Sequence, residues 1–263
     1  MAYVETMEQG ERLAQWTRFR EMTREVHRGF LAEWTVTIIL LLFATTTLVQ
    51  AFVIPSASME DTLLVGDHVL VDKLVYSPHG AKLGLPYRDV RRGDVIVFRY
   101  PLDIREDYVK RAIGVPGDHI RFVSQQLILN EKPVKEPYVK HVASYPDTYR
   151  DNFPVRAGVP LRPRALEMLD NHVVNGELVV PPDYIFAMGD NRDDSDDSRY
   201  WGLVPRENIV GTPAIIYWSY EASTQDLTNG NIGLDHIIDV VTHFFSKTRW
   251  TRTFKLIHGY PLQ

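Results

Sequence analysis

Ser58 sits in Pro55-Ser56-Ala57-Ser58-Met59, at the far end of an uncharged stretch that begins at Trp34. A serine hydroxyl is a poor nucleophile until a neighbouring base takes its proton, so a partner is required. The chain has no cysteine, which removes thiolate nucleophiles, thiolate metal sites and disulfides. Its nine histidines fall in no triad signature, and no Gly-x-Ser-x-Gly elbow surrounds Ser58. A lysine can act instead when it is unprotonated, a state that burial favours. The candidate is Lys110, in the strand-like Asp107-Tyr108-Val109-Lys110-Arg111-Ala112-Ile113-Gly114, closed by Pro116-Gly117. Strand alternation puts Lys110 and Arg111 on opposite faces, so one can point inward while the other meets solvent. Taken alone, Lys110 also reads as a surface charge. The Ser-x-x-Lys spacing is absent, because Asp61 stands three residues after Ser58.

The acidic run 189–199 invites a calcium reading. From Asp190, however, Arg192 falls at a ligand position and Ser195 stands where an EF-hand loop needs glycine. The metal reading fails, and a solvated acidic loop remains.

These residues need a frame. No charge occurs between Glu33 and Glu60, and about 20 such residues cross the hydrocarbon layer. Residues 34–54 are therefore predicted to form one transmembrane helix. A cleaved secretory signal has a short lead, whereas residues 1–33 here are mostly polar. Arg18, Arg20, Arg24 and Arg28 precede the span, and the first basic residue after it is Lys73. That asymmetry places residues 1–33 in the cytoplasm and the large domain outside it.

From residue 67 onward, β-branched and aromatic runs are broken by Gly, Pro and Asp. Residues 68–76, 94–100, 178–180, 184–188 and 211–218 read as strands, with Pro213 suited to an edge or opening position. Residues 120–134 read as a hairpin turning at Asn130-Glu131-Lys132. The fold class expected is mostly β: one N-terminal transmembrane helix, then an all-β catalytic domain of short antiparallel strands over 55–220. Residues 137–177, aperiodic and rich in Pro, Arg, Asp and Tyr, read as an exposed, cap-like inserted excursion. Within 221–263, Leu234, Ile237, Ile238, Val241, Phe244 and Phe245 recur at helical spacing, followed by a basic stretch with interleaved aromatics. That segment fits a helix on an anionic membrane, or one packed on the β domain with a solvated basic tail. The net charge of -5 gives no general attraction to nucleic acid.

Together these segments resemble the bacterial type I signal peptidases, membrane-anchored Ser–Lys proteases. The resemblance covers roughly residues 48–218 and rests on four ordered blocks. The first is Pro55-Ser56-Ala57-Ser58-Met59 with Thr62-Leu63 and Gly66-Asp67, and the second is Arg92-Gly93-Asp94-Val95-Ile96-Val97-Phe98. The third is Tyr108-Val109-Lys110-Arg111 with Gly114 and Pro116-Gly117-Asp118. The fourth runs from Gly189-Asp190-Asn191-Arg192-Asp193 through Ser195 to Asp197-Ser198-Arg199. The resemblance implies Ser58 as nucleophile, Lys110 as general base, and Ser56 with the Ser58 backbone N–H as oxyanion hole. It further implies Ser195 as the group orienting the lysine, Asp197 and Arg199 as a structural ion pair, and Arg111 in support. Neither cofactor nor metal is implied. The partners implied are preproteins bearing signal peptides, cut where small residues stand first and third before the bond, with the lipid bilayer and secretion machinery nearby. The location implied is the bacterial cytoplasmic (inner) membrane, single-pass, with the catalytic domain extracytoplasmic. Two features depart from the pattern: Asp61 replaces a usual proline, and one span stands where many relatives have two. A tethered binding protein on the same scaffold would not need Ser56, Ser58, Lys110 and Ser195 together. The self-cleaving Ser–Lys repressors carry a DNA-binding module and no anchor.

Overall fold

The computed structural model describes residues 29–77, 84, 87–156, 158–228 and 234–262; most of the expected cytoplasmic segment, residues 1–28, lies outside them. The chain divides into two compact units, Met1–Ala44 and Thr45–Gln263. In the first, helix α1 (Phe30–Phe43) buries none of its residues against protein. It continues as π-helix over Ala44–Leu48, and Phe30–Leu48 is long and apolar enough to cross a membrane. The helix thus begins and ends earlier than residues 34–54. Val49–Val53 is instead strand β1. Three successive threonines, Thr45 to Thr47, favour helix poorly, and Val49, Phe52 and Val53 suit a pleated surface better.

The second unit is mostly β. After β1 come β2 (Asp67–Asp72), β3 (Val95–Tyr100), β4 (Asp103–Gly114), β5 (His119–Val123), β6 (Gln126–Leu129) and β7 (Lys132–Pro133). They are followed by β8 (Val173–Val174), β9 (Glu177–Val179), β10 (Tyr184–Met188), β11 (Val204–Pro205), β12 (Ile209–Ser219) and β13 (Lys255–Leu256). One sheet runs β1-β2-β12-β3-β4-β10-β11, with β13 also on β12, and a second runs β7-β6-β5-β9-β8. Every pairing among these strands is antiparallel. Strand β12 is central: it pairs with β2 on one side, and with β3 and then β13 on the other. Pro213 lies inside this central strand rather than at an edge. A register shift between Pro213 and Ile215 provides the bulge that accommodates a residue without an N–H.

Residues 120–134 turn twice rather than once, at Ser124-Gln125 and Asn130-Glu131, all four with positive φ as tight two-residue hairpins require. The excursion also differs from its expectation. It forms α2 (Thr148–Asp151), capped by Asp147, and α3 (Pro163–His172), opened by proline. It is not simply exposed: Tyr149, Phe153, Met168 and Leu169 are buried with Ile120, Phe122, Leu127 and Phe186. Aromatic side chains scattered without a period were the core of the second sheet.

After α4 (Ser198–Trp201) and α5 (Thr224–Thr228) comes α6 (Leu234–Lys247). Phe244 stacks on Trp218 with ring centroids 6.0 Å apart, while Ile238, Val241 and Phe245 are exposed. The basic residues that follow are not a solvated tail. Arg249 and Arg252 turn back onto the buried Asp67.

Candidate active site

From β1 the chain passes through a 3-10 turn, Ala57–Met59. Met59 and Leu63 are buried among Ile54, Val69, Val71, Val95, Val97 and Ile216. Burying side chains of this size contributes about 1.5–3 kcal/mol each, which pins the loop immediately after Ser58. From the acidic loop, Asn191 donates its backbone N–H to the Ser58 carbonyl at 3.1 Å. Its side-chain Nδ2 reaches the Ala57 carbonyl at 3.3 Å. The serine is thus held through its own backbone.

Lys110 arrives from β4, whose last five residues, Lys110 to Gly114, are all buried. Its Nζ donates to Ser58 Oγ at 2.6 Å. Burial penalises the ammonium form and lowers the pKa to about 8, although Asp197, Asp196 and Asp190 pull the other way. Once the amine is neutral the hydrogen bond can reverse, with the Ser58 hydroxyl donating to Nζ. That is the geometry of a hydroxyl passing its proton to a base.

The other expected residues divide. Ser56 Oγ lies 3.3 Å from Ser58 Oγ, so the two hydroxyls share one mouth. Ser195 is buried and forms no bond to Lys110; its hydroxyl helps hold the Asp197 carboxylate charged. It packs instead against Gly189, where an added Cβ would fall 2.3 Å from Ser195 Oγ and 2.4 Å from the Ser58 carbonyl oxygen. Only glycine allows the loops to approach this closely. Asp197 and Arg199 form the expected pair, with Arg199 Nε and Nη2 each 2.8 Å from a carboxylate oxygen. Burial alone would raise the Asp197 pKa, but the Arg199 guanidinium holds it below the usual range. The Asp197 carboxylate also accepts the Gly189 N–H at 3.2 Å, which shapes the turn beside Ser58.

Alternation does not give Arg111 a solvent face, because residues 110–114 of β4 are all buried. Its guanidinium forms a two-pronged pair with Asp190, Nε to Oδ1 at 2.7 Å and Nη2 to Oδ2 at 2.6 Å. Thr62 Oγ1 donates to the same carboxylate at 2.6 Å. Sequence reasoning gave Asp190 and Thr62 no role, yet with Arg111 they tie the serine loop, the lysine strand and the acidic loop together. Their signal was their place inside the motif blocks.

Asp61 takes φ 79, a conformation closed to proline, whose φ is fixed near about −65°. The departure at this position is therefore one of backbone as well as of charge. Glu60 and Asp61 face Lys140 at the start of the excursion, at 3.2 and 3.9 Å.

Ser58 and Lys110 open into a cleft of about 390 Å³ with Phe52, Val53, Ile54, Met59 and Val109 on its apolar side and Asp107, Asp194 and Asp196 on its polar side. A larger cleft of about 1120 Å³, bordered by Lys73, Arg99 and Arg206, contains neither residue. The smaller one holds the chemistry.

Residues 27–218 match the family described as signal peptidase, peptidase S26. The chain belongs to the S26 family. Over 190 residues it is 39% identical to signal peptidase I of Pseudomonas fluorescens, covering 66% of each chain. It is 35% identical over 225 residues to signal peptidase I of Aquifex aeolicus (strain VF5), covering 73% of this chain and 84% of that one. A crystal structure of a signal peptidase I from Enterococcus faecalis V583 aligns with 48% of this chain and 97% of its own, at 28% identity and a TM-score of 0.36. As an S26 member the chain is a serine peptidase, and its apolar helix fits attachment to a membrane.

Proposed function

We propose that this S26 peptidase cleaves N-terminal signal peptides from exported preproteins at the outer face of the bacterial cytoplasmic membrane. The observation that carries the reading is the buried 2.6 Å contact between Lys110 Nζ and Ser58 Oγ. In this reading neutral Lys110 takes the Ser58 proton as Oγ attacks the scissile carbonyl. The tetrahedral oxyanion is held by the Ser58 backbone N–H and the Ser56 hydroxyl. Losing one such donor costs about 10²–10³ in rate. Lysine then protonates the departing amine, and water, activated by the same lysine, hydrolyses the ester at Ser58. Ser195 orients the lysine, a role suited to a buried hydroxyl packed against Gly189 beside the Ser58 carbonyl. Asp197 and Arg199 shape the wall and take no part in bond breaking.

The bilayer is the second partner. An anchor of this length with basic residues before it sets the N-terminus in the cytoplasm and the catalytic domain outside. A signal peptide's apolar stretch lies in the same bilayer, so enzyme and substrate share one plane and their effective concentration rises without added affinity. Secretion machinery would deliver the substrate to that plane.

The test is cleavage of a preprotein, in detergent or lipid, by wild type, Ser58→Ala and Lys110→Ala. Wild type is expected to cut at the small-x-small site, with a rate that falls as pH drops below about 8. Both variants are expected to fold and cut nothing. Activity retained by either variant, or a rate flat from mildly alkaline to mildly acid pH, would sink the assignment.

A further inference from the structure

We propose that residues 249–262 form a positioning strap for the catalytic pair, with Arg252 as its principal positioning residue. The proposal rests on the Ser58–Lys110 reading above. The strap lies beyond the family match, which ends at residue 218. It contacts both the segment that carries Ser58 and the strand that carries Lys110.

On the serine side, Arg252 Nη2 donates to the Thr62 carbonyl at 3.1 Å and to Asp67 Oδ2 at 2.6 Å. Asp67 is fully buried. It also accepts from Ser219 Oγ at 2.6 Å and from the Leu64 N–H at 2.8 Å. Asp67 therefore closes the segment that starts at Ser58, and Arg252 supplies the countercharge that a buried carboxylate requires. Arg249 adds bonds to the Val65 and Tyr220 carbonyls. Thr62 is gripped twice, its carbonyl by Arg252 and its hydroxyl by Asp190.

On the lysine side, the Tyr260 N–H donates to the Gly93 carbonyl at 3.2 Å, and Arg111 Nη1 donates to the same oxygen at 2.7 Å. The Tyr260 ring stands 5.6 Å from the Arg111 guanidinium. Gly93 has φ 84, and a Cβ there would lie 1.5 Å from the Tyr260 carbonyl oxygen. Between these two grips, β13 pairs with β12, and beyond them Leu262 is buried in the core of the second sheet.

The catalytic contact is one hydrogen bond between segments that are not adjacent in the sheet. A misplacement of about 1 Å can cost roughly 10²-fold in rate. Without Arg252, Asp67 is a buried carboxylate short of its closest cation, and the Thr62 carbonyl is released. The serine loop then loosens. Because Arg252 is not among the residues that line the cleft, the loss falls on kcat and leaves KM little changed. Water admitted beside Lys110 returns its pKa toward the ordinary lysine value, so the acid limb of the rate moves to higher pH.

The experiment uses full-length protein in detergent: wild type, Arg252→Lys, Arg252→Ala, Tyr260→Ala and Lys110→Ala. Each is assayed for kcat and KM against pH, per mole of protein shown folded by near-ultraviolet circular dichroism. Arg252→Ala is expected to lose about 10²-fold in kcat with the acid limb shifted upward. Arg252→Lys should restore most of both, and Tyr260→Ala should move both in the same direction by less. Unchanged kcat and acid limb per folded molecule in the alanine variants, or a loss confined to KM, would overturn the strap. Should Arg252→Ala fail to fold, Tyr260→Ala decides, because Tyr260 is 48% exposed and truncation removes only its ring beside Arg111 while keeping the backbone bond to Gly93. A wild type that folds but cuts nothing overturns the Ser–Lys reading itself, and the strap with it.

Discussion

Lys110 and Arg111 are consecutive cations on β4, both buried, in opposite surroundings. Arg111 is enclosed by countercharge and aromatic faces: Asp190 grips it with both oxygens, and the Tyr138 ring lies 3.9 Å from its guanidinium. Lys110 contacts a serine hydroxyl and has a Tyr108 ring 5.7 Å from its Nζ. Carboxylates act on it only from beyond hydrogen-bond range. A buried cation needs a partner or must shed its proton. The guanidinium cannot shed one, so the fold supplies a partner. The ammonium can, so withholding a partner produces an amine that sheds its proton near pH 8. Chemistry and scaffold are thus divided between neighbouring residues by what each is denied.

Replacing the one cation by the other breaks the comparison most severely. Lys110→Arg keeps charge and bulk but never deprotonates. It is expected to lose about 10⁴-fold or more in kcat, no less than an alanine there, in the preprotein assay. Asp190→Asn attacks the other side by leaving Arg111 buried and unpaired. It should destabilise the domain by about 3–5 kcal/mol in denaturant titration.

The third prediction concerns stability alone. The Lys110 pKa, about 8 in the fold against 10.5 ordinarily, means that the folded state releases a proton more readily than the unfolded one. Stability should therefore rise as pH climbs from about 8 to about 10.5, and carry the full penalty below that window. The rise is on the order of 3 kcal/mol. Lys110→Met should flatten it, as read from melting curves across that range.

The smallest effect sharpens the comparison. Asp196 is one of the carboxylates that raise the Lys110 pKa, and it forms a half-exposed pair with Arg162. Asp196→Asn should change stability by less than about 1 kcal/mol. It should move the acid limb of the rate to slightly lower pH. A shift to higher pH would contradict the account of Lys110.

The β character was legible because runs between turns are local, whereas Ser58 and Lys110 were paired only through the four ordered blocks, since Lys110 alone also reads as a surface charge. Alternation could not settle Arg111 because it assumes one wet face, and nothing in residues 108–114 reports that this end of β4 is buried throughout. The excursion was misread for a related reason. Tyr149 and Phe153 carry no period, yet they fill the second sheet. The helix end was placed late because Val49 to Ile54 is apolar enough for a membrane and β-branched enough for a strand, and only pairing with β2 decides. Arg249 and Arg252 read as membrane-facing or as a solvated tail because their partner, Asp67, is more than 180 positions earlier. Such pairings follow from topology, which local pattern does not carry.

The position of β12 has a consequence for the making of the protein. Ser58 follows β1 and Lys110 lies on β4, but the path through the sheet from β1 to β4 crosses β12, which runs from Ile209 to Ser219. A nascent chain can expose residues 58 and 110 long before that strand exists. Until it does, the sheet does not join β2 to β3, and the acidic loop, through Asp190 and Asn191, links the serine loop to the lysine strand. The sheet that spans from β1 to β4 is thus completed only by a strand about 100 positions beyond Lys110.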